Sequence, residues 1–204
     1  MVVGANDADE SLLKYWRDQG FYHFREGSDG ALALERVDYR PSPFRQLVRR
    51  SALARYALMN GRSVFRGRVG AVSGNTPTQP DLQRVRDSKR AVDTFLAQLP
   101  SMAGLAPLRI ALVVDAIRPA LYSPRERDAA DSTFSGQVRR YLLERGREAG
   151  FEVVDMEPIF AAHFARNSVR FEYPVDAHWN DVGHRVAAEA VSASSVFRDL
   201  QGLP

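Results

Sequence analysis

Apolar positions in this chain fall into short runs and helical stripes that alternate along its length. Residues 1–3 form an apolar run closed by Gly4, too short for a helix and placed like the end of a buried strand. Across residues 9–19 the stripe of Leu12, Leu13, Tyr15 and Trp16 predicts a helix, with Gly20 marking its end. Residues 21–24 and 31–37 flank Glu26-Gly27-Ser28-Asp29-Gly30 and predict a β-hairpin, taken together (residues 21–37) as a peripheral insertion. Pro43 suits the first turn of a helix in which Phe44, Leu47, Val48, Ser51, Ala54 and Leu58 recur at helical spacing until Asn60-Gly61. Residues 61–80, rich in glycine, proline, serine and threonine, predict a long loop, either a lid or a plain linker.

Helical spacing resumes at Leu82, Val85, Val92, Phe95 and Leu99. Pro107 then precedes residues 108–114, a continuous apolar run of the kind buried on both faces of a parallel sheet. A further helix around Phe134, Val138, Tyr141 and Leu142 ends near Gly150, and residues 151–155 read as the next strand. Alternation of helix and strand implies βαβ crossovers, so the expected class is α/β with a parallel sheet covered by helices. At 204 residues, the chain fits a single domain with one sizeable core.

Charge and composition narrow the function. Lys14 and Lys89 are the only lysines, arginine supplies the rest of the positive charge, and the net charge of +3 is too small to argue for nucleic acid. No stretch approaches the roughly 20 apolar residues of a membrane-spanning helix. The absence of cysteine excludes disulfides, thiolate catalysis and cysteine-ligated zinc, and leaves the compartment open between cytoplasmic and secreted.

In a parallel sheet, chemistry gathers at the carboxyl ends of the strands. Two loops there carry unusual residues. One is Gly4-Ala5-Asn6-Asp7; the other is Asp176-Ala177-His178-Trp179-Asn180-Asp181-Val182-Gly183-His184, which runs into a final helix for which Asn180 is a good N-cap. In extended backbone, residues two apart point the same way, so the Asp176 carboxylate is placed to reach a ring nitrogen of His178 and hold its tautomer. Plainer readings stand beside these. An Asn-Asp after a strand is often only a turn, His178 alone would be an ordinary loop histidine, and Asp176, His178 and His184 together would form a metal site. His23 and His163, set among aromatic and small apolar residues, read as packing residues.

The two blocks, their order and the strands between them resemble the SGNH/GDSL hydrolase family. The resemblance implies a three-layer αβα sandwich with a flavodoxin-like parallel sheet, and cleavage of ester bonds by a Ser-His-Asp mechanism that needs no cofactor or metal. It implies that His178 is the general base, that Asp176 orients it and that Asn6 donates to the oxyanion, with Gly4 and Asp7 supporting the loop. Its substrates would be small-molecule or glycan esters. The Asp-x-His spacing departs from the family's commonest Asp-x-x-His and matches relatives that read Asp-x-His-Trp. The family's Gly-Asp-Ser block, which carries the nucleophile, belongs ahead of Gly4, where only Met1, Val2 and Val3 stand. The expectation is therefore an N-terminally truncated SGNH hydrolase domain over residues 1–204, inactive alone and possessed of an exposed strand edge that invites self-association. Ser28, Ser73, Ser132 and Ser135 have no elbow-like context for a nucleophile. The alternative is a non-catalytic module that binds an acylated glycan or a protein partner.

Overall fold

The structure is a computed structural model that describes residues 1–40, 42, 43, 46, 50–53, 56, 81–174 and 176–202. The chain enters through strand β1 (Val2–Val3) and a single helical turn, α1 (Asp7–Glu10). Next come β2 (Tyr22–Glu26) and β3 (Leu32–Arg36), an antiparallel hairpin that pairs Tyr22 with Arg36 and Glu26 with Leu32. Helix α2 (Leu82–Ala103) starts at Asp81, whose carboxylate accepts from the N–H groups of Gln83 and Arg84. It ends at Gly104, whose φ of 65° is the left-handed conformation that favours glycine. A 3₁₀ turn (Pro107–Arg109) leads into β4 (Ala111–Val114), and the crossover to the next strand runs through α3 (Arg118–Tyr122), α4 (Pro124–Ala130) and α5 (Phe134–Glu148). The remaining elements are β5 (Glu152–Asp155), α6 (Met156–Asn167), β6 (Glu172–Tyr173), β7 (Asp176–Trp179), α7 (Asp181–Ser192) and α8 (Ser195–Gln201).

The parallel sheet has three strands in the order β1-β4-β5, with Val3 beside Val114 and Val114 beside Asp155. Among the described residues, β1 is an edge strand paired only with β4. The fold is thus mixed α/β. Side chains alternate across a strand, and β4 divides its own between two apolar clusters. Leu112 and Val114 pack with Val85, Val92 and Leu96 of α2 and with Phe134, Val138 and Leu142 of α5. Val113 packs on the other side with Met156 and Phe160 of α6, with Phe171, and with Val186 of α7. Each of these side chains taken fully out of water contributes about 1.5–3 kcal/mol, which is why so short a sheet can anchor helices on both faces. Among the described residues, no helix is long and apolar enough to cross a membrane.

Three expectations are corrected. Residues 9–19 do not form a helix: after α1 the backbone is taken by β2, because Phe24 donates its N–H to Ser11 O at 2.7 Å and accepts from Leu13 N–H at 3.0 Å. An intact helix needs those same groups for its own ladder. The apolar stripe still packs, with Leu12 against Phe24 and Ala91 and Tyr15 beside them. The strand expected over residues 108–114 is only Ala111–Val114, since residues 107–109 make the 3₁₀ turn and Leu108 is exposed. The helix after the Asp-His block is followed by one more, α8. The helix expected after Pro43 falls mostly outside the described residues, and the loop expected over residues 61–80 falls wholly outside them.

Candidate active site

All three parallel strands end at the same edge, and Asp115 is the residue that ties the pieces there together. Its N–H donates to Val3 O at 3.1 Å, holding the first residue after β4 to the end of β1. Beyond Val3 the chain turns tightly. Asp7 N–H donates to Gly4 O at 3.2 Å, and Gly4 N–H donates to Asp7 Oδ2 at 2.7 Å. A Cβ on Gly4 would lie 2.8 Å from Asn6 Oδ1, so a larger residue there would push the Asn6 amide aside. Asp7 is therefore a supporting carboxylate: burial pushes its pKa up, against the opposing pull of the Gly4 N–H. Asn6 precedes α1, and its side-chain amide donates to Glu10 Oε1 at 3.2 Å, which fixes the amide's orientation from one turn along. Burial also raises the Glu10 carboxyl, and the Asn6 bond opposes this.

The Asp-His segment is not a loop but strand β7, paired antiparallel with β6 through Glu172–Trp179 and Tyr173–Asp176. Its C-terminal end is anchored firmly. Trp179 Nε1 donates to Asp115 Oδ1 at 3.0 Å, and its ring meets Phe160 edge-on at 5.8 Å and His184 at 5.7 Å. Asn180 caps α7 by accepting from Gly183 N–H at 2.9 Å, and its amide donates to the carbonyls of Arg170 and Glu172. Adjacent side chains in a strand face opposite ways, so with Trp179 turned inward His178 lies on the outer face of β7, where it is exposed. Asp176 begins the same strand. Its side chain lies outside the described part of the structure, and the expected Asp176–His178 contact lies there with it.

Asp115 thus meets both motifs, its backbone at the end of β1 and its carboxylate at Trp179. Sequence reasoning did not single it out, and the Arg139-Arg140 pair, which from sequence alone reads as a solvated helix face, has Arg139 buried in the structure. Burial raises the Asp115 pKa, opposed by Arg118, whose Nη2 is 3.4 Å from Oδ2, and by the Trp179 bond. Arg139 donates to Asp115 O at 2.8 Å, pairs with Asp155 at the end of β5 and lies 3.3 Å from Glu157. A usable signal was present: the apolar runs of β4 and β5 both close on Val-Asp, Val114-Asp115 and Val154-Asp155, and a carboxylate at the end of an apolar run is held where the sheet meets its ligands.

The other candidates hold ordinary places. His23 is buried with its ring nitrogens near Glu10 O and Asp18 O, each at 3.2 Å, and His163 packs edge-on against Phe171. Among the described residues, no group of three His, Cys, Asp or Glu is placed to hold a metal. Ser28 lies in the hairpin turn, Ser132 donates to Ala129 O at 2.7 Å, Ser135 lies in the first turn of α5, and Ser73 is outside the described residues.

Comparison with known proteins finds no match for this chain, whether among family models, curated proteins or solved structures.

Proposed function

We propose that this chain carries the acid-base and oxyanion part of an SGNH/GDSL-type ester hydrolase, built on a flavodoxin-like three-layer αβα fold. In this reading His178 takes the proton from an attacking hydroxyl, Asp176 orients the imidazole, and Asn6 stabilises the tetrahedral oxyanion. The observation that carries it is the Asp115 junction, which draws the end of β1, with its Asn6 turn, and the Trp179 end of β7 to one edge of the sheet. An asparagine amide carries two hydrogens, and the bond to Glu10 uses one of them. The second is the one an oxyanion would take. Gly4 and Asp7 hold the turn in this scheme, and small-molecule or glycan esters are the substrates.

None of the described turns that lead from a strand into a helix contains a serine, at residues 4–6, 115–117 or 180. The purified chain by itself is therefore expected to show negligible turnover of short acyl esters and no covalent labelling by a fluorophosphonate. Stoichiometric labelling of Ser132 or Ser135 would overturn this assignment of roles. The DNA upstream of the Met1 codon gives the positive test. Any in-frame extension carrying Gly-Asp-Ser should confer esterase activity, and His178→Ala should then abolish turnover while the protein remains folded. Wild-type turnover in that variant would remove His178 from the mechanism. The same lack of a serine favours a second reading, a non-catalytic module that binds an acylated glycan or a protein partner. Saturable binding of an acetylated oligosaccharide by a chain with no turnover in any extended form would support it.

A further inference from the structure

Asp115 is a carboxylate set into the edge of the sheet with every near neighbour accounted for. Oδ1 accepts from the Trp179 indole at 3.0 Å and from the N–H of Ala116 at 2.8 Å, while Oδ2 faces Arg118 at 3.4 Å. Its own backbone is fixed on both sides, by the bond to Val3 O and by the guanidinium of Arg139. A carboxylate held this rigidly sets the place of whatever it binds. Here that is the indole next to His178, since Trp179 and His178 are consecutive residues of β7.

Asn180 secures the chain after Trp179 through Arg170 O and Glu172 O, and the tight approach of Gly183 to Trp179, where an added Cβ would lie 3.0 Å from Trp179 Cβ, blocks sliding toward α7. These contacts fix β7 along its length. Its height above the sheet edge is set where Trp179 meets the core, through the edge-on contact with Phe160 at 5.8 Å and through the bond to Asp115, which spans 64 residues of sequence and joins β7 directly to the end of β4.

We propose that Asp115 is a positioning residue for His178: by holding the Trp179 indole at the carboxyl end of β4, it sets the place of the strand end that presents the imidazole on its outer face. The inference deepens the hydrolase reading and rests on it for its functional meaning, since seating a histidine matters only if that histidine works. It adds to that reading a requirement for a carboxylate or its amide at the end of the central strand. A charge is not essential. An asparagine at position 115 keeps a carbonyl oxygen that can accept the same indole hydrogen.

The test uses the intact chain, isotopically labelled, with the imidazole resonances of His178 and the indole N–H of Trp179 followed by NMR in Asp115→Ala, Asp115→Asn and Trp179→Phe. Asp115→Ala should shift the indole N–H upfield, as a lost hydrogen bond does, and should change the His178 imidazole resonances and their tautomer balance. Trp179→Phe should reproduce the His178 change, and Asp115→Asn should restore most of it. His23, on the hairpin, should keep its resonances throughout, a selectivity that general loosening of the fold would not give. Should Asp115→Ala fail to fold, the Trp179→Phe and Asp115→Asn pair decides the matter. Unchanged His178 resonances in folded Trp179→Phe would overturn the proposal, as would a His178 change in Asp115→Asn as large as in Asp115→Ala. Because none of these readouts involves ester cleavage, a His178 shown to be dispensable for turnover in an extended form would sink the hydrolase reading while leaving the coupling intact.

Discussion

At the scale of single residues, two carboxylates drawn partly or wholly out of water, Asp115 and Asp87, differ in the sign of their pKa shift. Asp115 is raised above 3.8 by burial, so the folded state keeps its proton to higher pH than the unfolded chain does. The stability this contributes is full below 3.8 and is lost as pH rises through the raised value. Urea denaturation of the wild type and Asp115→Asn, taken from below 3.8 to neutral pH, should show the wild type losing ground to the variant as pH rises. The opposite slope would mean that attraction to Arg118 outweighs burial. Asp87 runs the other way. Burial pushes it up, but hydrogen bonds from Lys14, Tyr15 and Gln83 outweigh that and hold it below 3.8. Its contribution is full above 3.8 and is lost as pH falls through the lowered value, so Asp87→Asn should cost most at neutral pH and least in acid, as read by the same denaturation series.

At the scale of elements, helix starts are where small changes tell most. Thr133 caps α5 through the Gly136 N–H at 3.0 Å, and Thr133→Ala should cost about 1 kcal/mol in thermal or urea unfolding. Asn180 caps α7 and also donates to two carbonyls across β6, so Asn180→Ala should cost more, about 2 kcal/mol. Gly136→Ala should be the most damaging of the three. A Cβ there would sit 1.9 Å from Ala130 O, a backbone atom that cannot swing aside, and circular dichroism should show α5 displaced or the fold lost. If Gly136→Ala folded as stably as Thr133→Ala, the close approach of α5 to the end of α4 would be wrong.

At the scale of the whole molecule, two features govern stability and assembly. Arg139 is buried and joins the ends of β4 and β5 to α5 and α6 through Asp115 O, Asp155 and Glu157. Arg139→Ala removes the cation that two carboxylates share, and about 3 kcal/mol or more of stability should go with it in chemical denaturation. The second feature is the outer side of β1, where Met1 and Val2 are 53% and 55% exposed and, among the described residues, no strand pairs beyond it. An apolar edge of this kind recruits strands from other chains. Light scattering should show association that grows with concentration and weakens in Val2→Lys. A wild-type chain that stays monomeric over a wide concentration range would show that this edge does not pair between chains.

The alternation of helical stripes with apolar runs was sufficient to predict a parallel α/β arrangement, because a strand buried on both faces must be apolar throughout and a helix covering it must be apolar on one side. The capping residue Asn180 and the hairpin around Gly27 and Gly30 were legible for the same local reason, since each is fixed by backbone chemistry within a few residues. Periodicity failed at residues 9–19. It reported correctly that Leu12 and Tyr15 are packed inward, but a stripe says nothing about whether the backbone bonds to itself or to Phe24, a partner that only the fold brings near. The candidate site divides the same way. Asn6, Asp176 and His178 stood out by residue type and spacing, whereas Asp115 acquires its importance from Val3, Trp179, Arg118 and Arg139, of which only Arg118 is close in sequence. Contacts between distant segments depend on how the strands are ordered and how the helices cross, and the tertiary structure alone decided those.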